Sequence, residues 1–228
     1  MKIEIIPAIM PDDFDDLVEK LNLVNHHTEW VQVDVMDGKL TRSISWPYSD
    51  KSHFDQLIHQ DEGLPHWQNV NFEVDMMIAN PVEEIPKWIE VGVSRIIVHL
   101  KTLKKEEDFD FIKKIKAEGL VEISIAINIG DNLDLLEKLE GYYDAVQFMG
   151  IERIGFQGEE FQESVLDNIA DFRNKNKEIP ISIDGGVNFD NVQDLVKAGV
   201  TRIVSGSLIF ESGDVKGTID ELERLANK

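Results

Sequence analysis

The chain has 228 residues with 23 Lys and Arg against 44 Asp and Glu, a formal net charge of −21, and no cysteine. That charge argues against a protein that binds by neutralising phosphates with Lys and Arg, so nucleic acid and anionic membrane surfaces are not expected partners. The missing cysteines exclude disulfide frameworks, thiolate zinc sites, iron–sulfur clusters and thiol nucleophiles.

In chain order, short β-branched runs alternate with amphipathic segments. Strands are predicted over 3–10, 30–35, 71–78, 95–100, 122–128, 145–149, 181–184 and 202–205. The helices that follow them in turn are predicted over 13–23, 54–60, 81–91, 106–118, 133–139, 161–174, 188–198 and 215–226. Strands alternating with helices imply right-handed parallel crossovers, and eight such units in this length suit an α/β fold closed as a (β/α)8 TIM barrel. An open doubly wound sheet competes, but it usually carries a Gly-rich turn after its first strand, where this chain has Pro7-Ala8-Ile9-Met10-Pro11-Asp12. With 42% apolar residues and no linker or composition break, one domain over 1–228 is expected. No stretch approaches the roughly 18 to 20 apolar residues of a membrane span, and the first residues lack the long apolar centre of a secretory signal, so a cytoplasmic location is expected.

Barrel active sites lie at the C-terminal ends of the strands. That end collects Asp34, Asp37, Asp75, Met77, His99, Asn128, Met149, Asp184 and Ser205-Gly206-Ser207. Because alternate residues share a face, Gln32, Asp34 and Met36 point inward together, as do Glu73, Asp75 and Met77, and Ser182 and Asp184. Strands two and seven stand on roughly opposite sides of the ring, which predicts Asp34 and Asp184 on the two faces of anything bound in the mouth. Two carboxylates so placed suit a two-base proton transfer, one removing a carbon-bound proton and the other returning one to the opposite side. An Asp at a strand end also caps helices or binds loop amides, which is the competing reading for either residue alone. Several inward carboxylates together must be solvated, protonated or compensated by a cation.

Strand seven ends in Asp184-Gly185-Gly186-Val187 and strand eight in Ser205-Gly206-Ser207, both read as turns opening helices, and Gly155-Phe156-Gln157-Gly158 follows strand six. Backbone N–H groups at such turns bind phosphate without side-chain charge, and the loops after strands seven and eight are the usual phosphate site of these barrels. Gly155, Gly158, Gly185, Gly186, Gly206 and Ser207 are therefore the candidate phosphate-binding residues. Simple turn formation is the alternative for each glycine.

Val33-Asp34-Val35-Met36-Asp37-Gly38, Met77-Ile78-Ala79-Asn80-Pro81, Gly155-Phe156-Gln157-Gly158, Ile183-Asp184-Gly185-Gly186-Val187 and Ser205-Gly206-Ser207-Leu208-Ile209-Phe210 occur in the order and spacing of another set of proteins. Along almost the whole chain the sequence resembles the ribulose-phosphate 3-epimerase family. The resemblance implies a phosphosugar-binding barrel that interconverts D-ribulose 5-phosphate and D-xylulose 5-phosphate. It implies two aspartates, here Asp34 and Asp184, as acid and base across a divalent metal that stabilises an enediolate. It also implies an apolar lining of methionines, here Met36, Met77 and Met149, for which ordinary core filling is the alternative, and it makes a homo-oligomer plausible.

Several positions depart from that family. Gln32 stands in place of one metal-ligating histidine and Asp75 in place of the other. Ala8 replaces a serine that would line the substrate, Glu159 a glutamine, Gln157 a glycine, and the segment from Met149 to Gly155 is about one residue longer than usual. The set Gln32, Asp34, Asp75 and Asp184 is all oxygen donors, which suits Mg or Mn rather than Zn or Fe. The alternative is a metal-free site, with a carboxyl holding a proton or with Lys39 or Arg42 reaching in from the strand-two loop. His99 is read as a hydrogen-bonded core residue rather than a ligand. A sugar-phosphate 3-epimerase is the leading function. A catalytically silent phosphosugar-binding barrel, or an isomerase or lyase on another phosphosugar, are the alternatives.

Overall fold

The computed structural model describes residues 2–60, 62–156 and 158–228. The strands β1 (Glu4–Ile9), β2 (Trp30–Met36), β3 (Asn71–Met77), β4 (Arg95–His99), β5 (Glu122–Ile127), β6 (Ala145–Met149), β7 (Ile181–Asp184) and β8 (Arg202–Ser205) pair in parallel, each with its neighbours in sequence. β1 pairs with β8, closing the barrel. The connecting helices are α1 (Phe14–Val24), α2 (Ser52–Gln60), α3 (Pro81–Glu90), α4 (Glu106–Glu118), α5 (Asp134–Glu137), α6 (Ser164–Lys175) and α7 (Val192–Ala198). After β8 come a single turn, α8 (Ser207–Phe210), and the last helix, α9 (Val215–Ala226). The alternating pattern thus produces the expected (β/α)8 barrel. Among the described residues no helix is long and apolar enough to cross a membrane.

The outward side chains of the strands, among them Val31, Val33, Val35, Val74, Ile96, Val98, Ile123 and Ile183, are wholly buried against the helices. Burying each such residue contributes about 1.5–3 kcal/mol, an upper estimate because the unfolded chain already hides part of its surface. Helix ends follow their caps: the Asp13 side chain accepts from Asp16 N at 2.9 Å ahead of α1, and Pro81 stands at the start of α3.

Three helices are shorter by two or more residues than their periodicity predicts. α7 begins at Val192 rather than 188 because the Asn188 side chain accepts from the backbone of Asp190 and Asn191 while the Asn191 side chain accepts from Asn188 N. Those local bonds compete with a helical first turn. α6 starts at Ser164 because Gln162 N is held by Gly150 O at 2.8 Å, tying the preceding segment to the end of β6. Around α5 the backbone bonds run from i to i−3, as in Leu136 N to Leu133 O and Leu139 N to Leu136 O, so only one turn is α-helical.

The barrel interior is unusually polar at both ends. Gln32, Glu73, Asp75, Arg95, His99, Gln147 and Ser182 are buried there. At the N-terminal end Arg95 is ion-paired with Glu73, donates to Glu122 at 2.6 Å, and lies 3.9 Å from the Trp30 ring centre. At the C-terminal end stand the carboxylates that the sequence singles out.

Candidate active site

Register brings the acidic residues together. β2 and β3 pair Gln32 with Glu73, Asp34 with Asp75 and Met36 with Met77, while β6 and β7 pair Met149 with Asp184. The end of β2 is fixed by Ser45, whose hydroxyl donates to Asp34 O at 2.8 Å and accepts from Met36 N at 3.0 Å. Asp34, Asp75 and Asp184 each present a carboxylate oxygen, and these oxygens lie within 4.8 Å of one another.

The carboxylates are closer than opposed strands would place them. Around the closed sheet only β1 and β8 separate β2 from β7, so Asp34 and Asp184 are not diametrically opposite. A single amide spans them: Gln32 Nε2 donates to Asp34 Oδ1 at 2.7 Å and to Asp184 Oδ2 at 2.8 Å. Gln147 Nε2 donates to Asp75 Oδ2 at 3.1 Å and to Asp184 Oδ2 at 3.4 Å. On its other side Asp75 Oδ1 lies 2.8 Å from His99 Nε2, and His99 Nδ1 lies 3.2 Å from Asn128 Nδ2. An amide nitrogen only donates, so His99 Nδ1 accepts and Nε2 carries the hydrogen bonded to Asp75.

Burial and mutual repulsion set the proton affinities. Burial, then the Asp184 and Asp75 charges, raises the Asp34 carboxyl well above the carboxylate range, and the Gln32 hydrogen bond only partly offsets this. Burial, then the Asp75 charge, pushes Asp184 up to about 7, again opposed by Gln32.

Above this cluster opens a cavity of about 790 Å³. Asp34 and Asp184 reach its floor, while Gln32, Asp75 and Gln147 are wholly buried and do not line it. Ala8, Met77 and Met149 are among the residues that line it. Met36 does not: it is fully buried in the apolar cluster with Met77, Met149, Ile97 and Ala126, and Met10, at the end of the β1 run, faces the cavity instead. Gly155, Gly158, Gly185, Gly186, Gly206 and Ser207 all line the cavity, and Glu159, Glu160 and Glu211 join them, with no Lys or Arg among the described lining residues. Gln157 lies outside the described residues.

Glycine is required at two of these approaches. At Gly186, φ is +71° and a Cβ would stand 2.7 Å from Phe161 Cα. At Gly150 a Cβ would stand 2.2 Å from Gly185 O, so the β6 and β7 loop ends meet only without side chains.

Three sequence candidates stay out of the cluster. Asp37 is a loop anchor, accepting from Lys39 N at 3.0 Å, Leu40 N at 3.4 Å and Ala79 N at 3.1 Å. Lys39 is largely exposed and 3.9 Å from Asp37, and Arg42 is exposed, so neither cation neutralises the carboxylates. His99 is the buried hydrogen-bonding residue expected. Gln147 is the residue that sequence reasoning missed, although its place two residues before Met149 puts it on the same inward face.

The donors suit a divalent cation. Three carboxylates converge, and both the Gln32 and Gln147 amides leave a buried Oε1 without a partner among the described residues. An all-oxygen set of this kind is chemistry that hard cations accept.

Comparison with known proteins agrees with the motifs. The model of the Ribulose-phosphate 3 epimerase family matches residues 4–210. Ribulose-phosphate 3-epimerase of Eremothecium gossypii is 28% identical over 221 residues, 96% of this chain and 91% of that protein. Ribulose-phosphate 3-epimerase of Aquifex aeolicus is 28% identical over 225 residues, covering 96% of this chain and 95% of that one. Among solved structures, 3-keto-L-gulonate-6-phosphate decarboxylase from Vibrio cholerae superposes with a TM-score of 0.70 at 16% identity, covering 100% of this chain and 98% of that one. 3-Hexulose-6-phosphate synthase from Salmonella typhimurium superposes with a TM-score of 0.71 at 12% identity over 99% of each chain. At such identities the structures speak for the barrel fold alone, whereas the matched segment spans nearly all of it, and the chain belongs to the ribulose-phosphate 3-epimerase family.

Proposed function

We propose that the protein is a sugar-phosphate 3-epimerase interconverting D-ribulose 5-phosphate and D-xylulose 5-phosphate by two-base proton transfer, with Asp34 and Asp184 as the acid and base. The observation that carries this reading is the pair itself: two carboxylates at the floor of the cavity, linked by one Gln32 amide, both with raised proton affinity. Two such groups in mutual repulsion do not both ionise near neutral pH, so one holds a proton while the other is free to accept one.

In one direction an ionised Asp34 takes the proton from C3, which is acidified by the neighbouring C2 ketone, and a protonated Asp184 returns a proton to the other side of the planar enediolate. Asp34 then holds the proton and Asp184 is ionised, which is the state needed for the reverse reaction. In the cation-free protein Gln32 donates to both carboxylates and holds them side by side at the cavity floor. Met10, Met77 and Met149 exclude water beside the reacting carbon. The phosphate is assigned to the backbone N–H groups of Gly185, Gly186, Gly206 and Ser207, with Gly155 and Gly158 also on the cavity lining, because the described lining residues supply no cationic side chain. A divalent cation, Mg or Mn by its donor set, would be held by Gln32, Asp34, Asp75 and Asp184 and would supply positive charge to the oxygens that become negative in the enediolate.

Ribulose 5-phosphate incubated with the protein in deuterated water, with and without Mg²⁺ or Mn²⁺, is expected to gain deuterium at C3 and to yield xylulose 5-phosphate. Absence of exchange under every metal condition would overturn the proposal. Asp34→Asn and Asp184→Asn are each expected to lower kcat about 10²–10⁴-fold, the range for a lost general acid or base.

A further inference from the structure

Gln147 projects inward from β6 and is wholly buried. Its Nε2 stands 3.1 Å from Asp75 Oδ2 and 3.4 Å from Asp184 Oδ2, yet its Oε1 has no partner among the described residues. Gln32 repeats the arrangement, with Nε2 between Asp34 and Asp184 and an unpartnered Oε1. An unpaired acceptor in a low-dielectric interior is costly, and an apolar side chain at 147 would avoid that cost. Two amides that share both features, nitrogen among the carboxylates and oxygen orphaned, point to a role beyond packing.

A carboxamide exchanges its two arms by rotating about its last torsion, which is broad and roughly two-fold. That rotation would set Oε1 of Gln147 where Nε2 now stands, 3.1 and 3.4 Å from oxygens of Asp75 and Asp184. Neighbouring oxygens around a six-coordinate cation with bonds of about 2.1 Å are about 3 Å apart, so the spacing is that of co-ligands. The neutral amide adds an oxygen without adding a further ionisable group to the three carboxyls already gathered.

We propose that Gln147 is a ligand of the divalent cation, acting with Gln32 as the neutral oxygen donors of the site. Without the cation the same two amides turn their N–H groups inward and hold the three aspartates together. This inference rests on the cation reading given under the proposed function.

Mn²⁺ binding to the full chain, measured by electron paramagnetic resonance and calorimetry, tests it, together with an Mg²⁺ titration of ¹⁵N-labelled protein that follows the Gln side-chain amide signals. Gln147→Met and Gln147→Leu remove the oxygen with two different shapes, and each is expected to weaken Mn²⁺ binding about tenfold or more. Gln147→Glu restores an oxygen donor and is expected to keep cation binding. In the wild-type protein Mg²⁺ is expected to shift the side-chain amide signals of both Gln147 and Gln32. Mn²⁺ affinity within about twofold of wild type in the folded Met or Leu variant would overturn the inference while leaving the cation reading intact. A titration that moves Gln32 but leaves Gln147 unchanged does the same. A wild-type protein that binds neither ion overturns both.

Discussion

His99 donates to Asp75 across 2.8 Å inside the barrel, and neither side chain has any exposed surface. The barrel mouth thus contains an imidazole, but one residue behind the carboxylates, where it orients an acid rather than facing the cavity. Backed by Asn128, it fixes the Asp75 oxygen that is left to face Gln147 and the other aspartates.

His99→Ala leaves the buried Oδ1 of Asp75 without its donor, while Oδ2 keeps Gln147 and Asn128 keeps Asp131. The variant is expected to lose about 2 kcal/mol or more in urea denaturation. Its Mn²⁺ affinity is expected to fall about tenfold, because it removes a group that orients a ligand. His99→Gln, which keeps a donor in reach, is expected to recover part of both.

The pH dependence follows from Asp184, whose carboxyl is pushed up to about 7 by burial and then by the Asp75 charge. The folded chain binds this proton more tightly than the unfolded one, so the group's stabilisation is complete below about pH 4 and is lost as pH rises through about 7. Cation-free wild type is therefore expected to lose thermal stability over that window relative to Asp184→Asn. Saturating Mg²⁺ is expected to remove the difference, and binding is expected to release more protons below pH 7 than above it. Calorimetry in two buffers of different ionisation enthalpy reads the proton count.

Gly186→Ala combines a φ of +71° with a Cβ 2.7 Å from Phe161 Cα. A loss of about 1–3 kcal/mol is expected. Because the residue lines the side of the cavity assigned to phosphate, KM is expected to rise more than kcat falls. Steady-state kinetics alongside denaturation separates the two effects.

At the opposite end of the barrel, burial raises the Glu73 carboxyl and the Arg95 charge pulls it part of the way back. Arg95→Met leaves the buried Glu73 without its ion-pair partner, with only the more distant Arg202 charge acting on it, and is expected to cost about 3 kcal/mol. The double variant Glu73→Leu/Arg95→Met is expected to regain most of that, with kcat changing far less than stability, since Glu73 is only a lesser contributor to the Asp34 and Asp184 proton affinities and this face of a barrel serves stability. Chemical denaturation and kinetics of the three forms give the answer.

The barrel is readable from the sequence alone because alternation of period is a local property: Val31, Val33 and Val35 facing helices oblige Gln32, Asp34 and Met36 to face inward. The same parity assigns Asp75 and Asp184 to the interior. It also contains Gln147, two residues from Met149, but a glutamine in an apolar run has no meaning until its neighbours across the barrel are known.

Which inward residues touch depends on register and closure between strands far apart in sequence. Pairing of Asp34 with Asp75 comes from the β2–β3 register, and the 2.8 Å contact from Gln32 to Asp184 joins residues 152 positions apart. Neither distance is encoded in a local pattern. The same holds for Asp37, which reads as a functional acid at a strand end and becomes a loop anchor once Ala79 is brought beside it. It holds as well for Met36, which packs with Met77, Met149, Ile97 and Ala126, while Met10 reaches the cavity. Local period and turn chemistry specified the architecture, the face of each side chain and the glycine loops. Long-range packing alone placed two buried amides and an imidazole around three aspartates, because the free energy of a buried charge depends on every group folded against it.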